Sequence, residues 1–305
     1  MEFQNITVTK KERKILDDFS LKIPEGAIMG LVGSDEQAKS CLLAVAGGVC
    51  QPESGQVCLD DEPLVWSRKG SNLFELIGYM PREYGFYGLL NVEEYFELFL
   101  SLYRINPRYW EGRVDEVLAL TELTDYKHAA VHDVPSEYHP LLYLARILLH
   151  DPEWLLLDEP FSRIGITERN QMIRILLNLQ DMGVSTVIHS QLFPEILDFY
   201  TDVSVIEEGH LITSGLIQDV YEVAMKQSPV RMHVIAGLDQ ALAVLKNNSL
   251  VERVIVSDMD VIFQFNGGEV EEAELLSDLV ASGTLIQTYM RNHVNIEEIF
   301  RGGNA

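Results

Sequence analysis

Short apolar runs bounded by turn residues alternate along this chain with longer stretches whose apolar positions recur every three or four residues. Residues 2–32 read as two or three strands, with Pro24-Glu25-Gly26 turning into the apolar run Ala27–Val32. A helix is expected from Lys39 to about Gly47-Gly48, then short strands at Gln56–Leu59 and at 75–80, where Pro81 stops the second. Helical periodicity rich in Phe, Tyr and Leu runs from Val92 to about Leu123, and again over Leu141–Leu149 and Gln171–Met182. Trp154–Leu157 is a short apolar strand that delivers Asp158 and Glu159, and Ser185–His189 reads as a buried strand. Val203–Glu207 and His210–Thr213 pair as a hairpin across Glu208-Gly209. Strands alternating with helices predict an α/β fold on a mostly parallel sheet.

The pattern changes at Lys226-Gln227-Ser228-Pro229. Beyond it come strand Val230–Ile235, helix Leu238–Asn247, strands Val251–Ser257 and Val261–Asn266, helix Val270–Ser282 and strand Leu285–Met290. Two domains are expected: 1–226, with a helical subdomain at about 84–150, and a small α+β unit at 229–305. The chain is 47% hydrophobic and 23% charged, a globular composition. Its 23 Lys and Arg against 47 Asp and Glu give a formal charge of −24, which argues against a nucleic-acid partner. Cys41, Cys50 and Cys58 are too few for a disulfide framework or a zinc site, so a reducing compartment is expected. No apolar run reaches the roughly 18–20 residues of a membrane span, and the N-terminus lacks a signal-peptide pattern, so a cytoplasmic location is expected.

Residues 28–43 carry the most chemistry. An apolar run ends in Gly33, a polar loop follows, and Lys39-Ser40 opens an apolar segment. Gly33, Lys39 and Ser40 stand in the register of a phosphate-binding loop, in which backbone N–H groups wrap phosphates, Lys reaches the β/γ-phosphates and a hydroxyl holds Mg²⁺. Ser34, Ala38 and Cys41 complete the candidate loop, although Ala38 fills its second glycine position and Glu36 puts a carboxylate inside it. The carboxylates ending Leu155-Leu156-Leu157-Asp158-Glu159-Pro160 divide naturally into a Mg²⁺ ligand, Asp158, and a group that polarises water, Glu159.

With these blocks in this order the chain resembles the nucleotide-binding subunit of an ATP-binding-cassette (ABC) transporter, over essentially its whole length. Leu16-Asp17-Asp18-Phe19-Ser20-Leu21, Ile77-Gly78-Tyr79-Met80-Pro81 and Leu144–Pro152 running into Leu157-Asp158-Glu159-Pro160 carry the resemblance. The tail ending Asn295-Ile296-Glu297-Glu298-Ile299-Phe300 looks like the extension of ATPases that serve ABC-2-type exporters. The resemblance implies a P-loop cassette fold, with ATP and Mg²⁺ as ligands and transmembrane permease subunits as partners. It also implies a second cassette, as hetero-partner or homodimer, a place on the inner face of the cell membrane, and coupling-helix docking near Arg82–Met182, especially Tyr84–Tyr103.

Several family positions are altered. Glu36 and Ala38 stand where the family has glycines; positive φ there would cost roughly 1–2 kcal/mol. A second anion 4 Å from Glu36 would be repelled by about 4 kcal/mol at an effective dielectric of 20. Arg82 replaces the glutamine of the glutamine loop, with Glu36 or Glu159 as its possible counter-charge. Val134-Pro135-Ser136-Glu137-Tyr138 replaces the signature Leu-Ser-Gly-Gly-Gln, so Pro135 removes a hydroxyl and an N–H, and Glu137 brings negative charge. Gly165 stands at the D-loop aspartate. The switch histidine falls by counting at Gln191, or at His189 if the register slips by two. Hydrolysis is therefore expected to be weak or absent, with Lys39, Ser40, Asp158 and Glu159 still able to hold Mg-nucleotide. The alternative is a nucleotide-independent structural or regulatory cassette.

Overall fold

The computed structural model describes residues 1–64, 75–192, 197–221 and 229–291. The chain divides into two compact units, Met1–Gly215 and Leu216–Ala305. The domain boundary expected near residue 226 and the closing Asn295–Phe300 segment lie outside the described residues.

The first unit contains two sheets. Strands β1 (Glu2–Lys10), β2 (Arg13–Lys22), β4 (Ser54–Leu59) and β5 (Glu62–Pro63) form an antiparallel layer in the order β2-β1-β4-β5. Strands β3 (Ile28–Val32), β6 (Ile77–Met80), β7 (Trp154–Asp158), β8 (Ser185–His189), β9 (Asp202–Glu207) and β10 (His210–Leu216) form the second, ordered β10-β9-β3-β8-β7-β6. Pairings β3–β8, β3–β9, β7–β8 and β6–β7 are all parallel. The N-terminal strands thus split between the layers. The exposed, alternating pattern of β2 suits a half-solvated sheet, whereas every residue of β3, β7 and β8 is buried, as a covered parallel sheet requires. Helix α1 (Glu36–Ala46) follows β3, and its Leu42, Leu43, Val45 and Ala46 join Phe3, Leu16, Phe19, Leu31, Leu156 and Val187 in one core.

The long periodic stretch after Val92 is two helices, α2 (Val92–Leu102) and α3 (Trp110–Leu120), interrupted at Asn106-Pro107. Asn91 and Glu94 close a capping box at the start of α2. Helix α4 (His139–Leu148) is buried on most sides, and its last carbonyls are taken by the Arg113 guanidinium: Nη2 donates to Leu148 O at 2.6 Å and Nε to Leu149 O at 3.0 Å. The aromatic stretch forms a shell around Arg146 of this helix. Its guanidinium stands 3.5 Å over the Tyr143 ring and 4.5 Å over Phe99, and Nη1 donates to Tyr95 Oη at 3.0 Å. Tyr95 and Phe96 are fully buried, and burial pushes the Tyr95 hydroxyl up to about 12, while Tyr87, Leu89 and Leu102 stay exposed. Helix α5 (Ile166–Asp181) begins five residues before the expected Gln171, with Gly165 as its N-cap.

In the second unit β11 (Val230–Ala236), α6 (Leu238–Asn247), β12 (Val251–Ser257), β13 (Asp260–Phe265), α7 (Glu269–Ala281) and β14 (Leu285–Arg291) follow one another. The sheet order is β12-β13-β11-β14 with every pairing antiparallel, the arrangement of a ferredoxin-like split βαβ unit. Val230, Met232, Val234, Val261, Phe263 and Phe265 face Ala241, Leu245, Leu275 and Leu279 of the helices. The expected α+β unit and its six elements are found within one or two residues of their predicted bounds.

His150, just after α4, stacks on Tyr103 at 4.3 Å with Nε2 3.2 Å from Ile77 O. Burial lowers its pKa below the ordinary 6.5, against the carbonyl contact that favours charge. Below that value the unfolded chain therefore takes up a proton that the folded chain resists, and stability falls with pH; above it this histidine contributes no pH dependence. Melting temperatures between pH 7 and 5 should drop more in the wild type than in His150→Gln. A titration midpoint for His150 at or above 6.5 by NMR would contradict this.

Candidate functional site

The site lies where β3, β7 and β8 end beside the start of α1. Gly33 leaves β3 at φ +122°, and a Cβ there would lie 1.9 Å from Ile206 O of β9, so only glycine makes this turn. Asp35 then caps α1, its side chain accepting from Ala38 N at 3.0 Å, and the helix starts at Glu36 rather than at Lys39. Glu36 and Ala38 therefore have helical backbone, and the positive-φ strain expected of them is absent. Ala38 is fully buried in the core, so its methyl does not crowd the loop.

Glu36 is the altered family position that matters. Its carboxylate turns into the loop, where Lys39 Nζ donates to Glu36 Oε1 at 2.9 Å and to Gly33 O at 2.6 Å. Lys39 is 1% exposed and Glu36 34% exposed, so the carboxylate supplies the counter-charge that a buried ammonium needs. Arg82 Nη1 lies 3.6 Å from Glu36 Oε2, and Gln191 Nε2 donates to the same oxygen at 3.1 Å. The His189 imidazole first, and then Lys39, hold the Glu36 carboxyl well below the usual range, against its own burial. Further donors of the loop are also satisfied by carboxylates: Ser34 N and Oγ donate to Glu207.

Ser40 Oγ donates to Asp158 Oδ1 at 3.1 Å, and the same oxygen lies 2.8 Å from His189 Nδ1. Glu159 follows at φ +56°, its N–H tied to His189 O at 2.8 Å and its Oε1 accepting from Gln191 N at 3.0 Å. A non-glycine residue in that region marks a site where backbone ease is given up. Burial raises the Glu159 pKa and the Glu36 charge adds to it, opposed by His189. Burial works against charge on His189, but Asp158 and Glu36 outweigh it and its pKa is raised. His189 ends β8 and Gln191 follows in a turn, and both reach the cluster.

An open pocket of about 640 Å³ adjoins these groups, lined among others by Val8, Ile15, Glu36, Ser40, Cys41, Tyr79, Arg82 and Asp158. It has room for a nucleotide. Burial and the neighbouring Cys50 push the Cys41 thiol up to about 12, so it lines the wall as a neutral group. Lys11 and Glu12 stand exposed in the β1–β2 turn. Pro135, Ser136 and Glu137 lie in and beside a short 3₁₀ turn ahead of α4, and neither they nor Gly165 line the pocket.

The family model of the ABC transporter matches residues 16–162, which span this loop, the Arg82 segment and the Asp158-Glu159 strand end. Over residues 16–162 the pattern is that of the ABC transporter family. A probable sulfate/thiosulfate import ATP-binding protein of Chlorella vulgaris is 27% identical over 218 residues, covering 71% of this chain and 91% of its own length. The linearmycin resistance ATP-binding protein LnrL of Bacillus subtilis is 21% identical over 304 residues, covering 98% and 96%. Among solved structures, cbiO1 from Clostridium perfringens, part of the ABC transporter complex cbiONQ, superposes with a TM-score of 0.64 at 21% identity. That superposition covers 72% of this chain and 90% of cbiO1.

Cassettes of this family bind ATP with Mg²⁺, and this cassette's residues fit the pair unequally. Ser40 Oγ and Asp158 Oδ1, 3.1 Å apart, are the oxygen donors that could hold Mg²⁺. Lys39, the buried cation of the loop, is already engaged by Glu36. A phosphate reaching Lys39 must displace that carboxylate or approach it as a like charge. Gly33→Ala should destabilise the chain by at least about 2 kcal/mol in urea unfolding, since strain at positive φ adds to the clash with Ile206 O. Near-neutral stability would mean that the loop is not held as described.

Proposed function

We propose that this chain is a cassette subunit of an ABC-2-type exporter whose own site binds Mg-nucleotide weakly and turns it over slowly or not at all. The carrying observation is the Glu36 carboxylate on Lys39 at 2.9 Å. A preorganised cation contributes to phosphoryl chemistry only while it can face the charge that develops. Here Lys39 faces an internal anion. Pro135 and Glu137 in place of the family's hydroxyl and glycine add to this, because the signature segment serves the nucleotide held by the facing cassette.

The exporter reading draws on the C-terminal unit and on the match to the linearmycin resistance protein over almost the full length of both chains. Import ATP-binding proteins match too, one over 71% of this chain and the methionine import protein MetN of Streptococcus pneumoniae over 96%. Transmembrane permease subunits and a second cassette, a more orthodox ATPase or another copy, are the partners in this reading, which puts the chain on the inner face of the cell membrane. Among the described residues no helix is long and apolar enough to cross a membrane.

Glu36 also favours a second reading, a cassette kept as a nucleotide-independent docking subunit. Measured alone, the purified chain should hydrolyse ATP at a rate close to background that Glu159→Gln does not lower. Brisk turnover abolished by Glu159→Gln would contradict the proposal. Thermal melts separate the two readings: a rise with millimolar MgATP favours the weak binder, and none favours the docking subunit.

A further inference from the structure

The His189 side chain is 0% exposed, and its Nδ1 is committed to Asp158 Oδ1 at 2.8 Å. Its Nε2 is buried and makes no hydrogen bond of good geometry, meeting carboxylates only at ion-pair distance. That nitrogen faces two carboxylates from different parts of the chain, 3.3 Å from Glu36 Oε2 and 3.5 Å from Glu159 Oε1. The three donor atoms lie within 4.8 Å of one another. Nitrogen and oxygen donors about 2.0–2.1 Å from a tetrahedral ion stand roughly 3.3 Å apart, which is the spacing His189 already has to each carboxylate.

We propose that His189 Nε2, Glu36 and Glu159 form a binding site for a divalent transition-metal ion of the zinc class, with a fourth position left to water. Asp158 acts outside the ligand set. A ligating imidazole is commonly fixed in tautomer and direction by a carboxylate on its other nitrogen, and the Asp158–Nδ1 contact is that arrangement. Gln191 holds both ligating oxygens, through its N–H on Glu159 Oε1 at 3.0 Å and its amide on Glu36 Oε2 at 3.1 Å. A carboxylate oxygen has a second lone pair, so these bonds orient the ligands without using them up.

Charge points the same way. Asp158, Glu159 and Glu36 bring three carboxylates together, and Lys39 and Arg82 both address Glu36. Glu159 is 3% and Asp158 4% exposed, and buried carboxylates of this kind are held by a cation or a metal. The imidazole nitrogen selects for a borderline ion over Mg²⁺ or Ca²⁺, which prefer oxygen alone. Its ligand atoms differ from the Ser40–Asp158 pair that suits a nucleotide's Mg²⁺, although Asp158 Oδ1 touches both. It requires neither nucleotide nor the exporter assignment. An ion bound here engages the carboxylate of Glu159, so that group is not free to polarise a water.

The test uses the full chain without nucleotide, titrated with Zn²⁺ by calorimetry and with Co²⁺ by visible absorption. One ion per chain is expected, with tetrahedral Co²⁺ bands that Zn²⁺ abolishes. Glu36→Gln and His189→Gln should each weaken binding at least about tenfold, and Asp158→Asn about 10–100-fold as an outer-shell loss. Cys50→Ser should leave binding unchanged. Circular dichroism checks that each variant is folded, since Glu36→Gln also takes the anion from the buried Lys39 ammonium. The proposal is overturned if neither ion binds, leaving a proton on His189 to hold the carboxylates. It is equally overturned if folded Glu36→Gln and His189→Gln bind as the wild type does, or if Co²⁺ shows a thiolate charge-transfer band that Cys50→Ser removes.

Discussion

A buried ammonium must have an anion beside it, and the Lys39 side chain is almost wholly buried at the start of α1. Every feature of the site follows from how that requirement is met. The loop wraps because Gly33 alone can pass beneath Ile206 O, and α1 begins where Asp35 caps it. Both place Lys39 Nζ at the mouth of the loop, facing the anion that a phosphate-binding loop exists to hold. In this chain Glu36, one helical turn earlier, supplies the anion itself. The contact is local in sequence, so the site can be complete in the absence of any ligand.

Around that contact the parallel sheet does the positioning. β7 and β8 run side by side with Asp158 opposite His189, so the two strand ends present a carboxylate and an imidazole to each other at fixed register. The left-handed turn at Glu159 sends its carboxylate back toward the same imidazole instead of into the sheet. Rigid strands set these distances, and a short helical turn brings Glu36 to them. Their sum is a dense cluster of opposite charges, closed by contacts within the chain except at His189 Nε2.

Much of this was readable in the order of residues. The apolar strands, the Gly33-to-Ser40 spacing and the paired carboxylates at 158 and 159 announce a phosphate-binding α/β fold, and the second unit's alternation is plain. What failed has physical causes. Helix α1 was expected at Lys39 because apolar periodicity begins there, whereas the helix is started by the Asp35 cap and by the polar Glu36 and Gln37, which periodicity overlooks. The crowding expected of Ala38 did not arise because, with the backbone helical, its methyl turns into the core. Counting could not choose between His189 and Gln191, since both reach the cluster, one from the strand end and one from the turn after it. That part of the Tyr84–Tyr103 stretch forms a shell around Arg146 was not legible, because the arginine lies more than forty residues away in sequence. Side-chain direction across a turn, as for Glu36, is a three-dimensional fact that spacing does not encode.

The central claim is that Glu36 holds the position a phosphate would take on Lys39. A fluorescent ATP analogue titrated into wild type and Glu36→Gly, with Mg²⁺ and at matched ionic strength, addresses it most directly. Removing the internal anion should tighten binding at least about tenfold, because a like-charge penalty of this kind exceeds 1.4 kcal/mol. Equal affinity in the two proteins would show that the carboxylate does not stand in the nucleotide's place, and the account would fall.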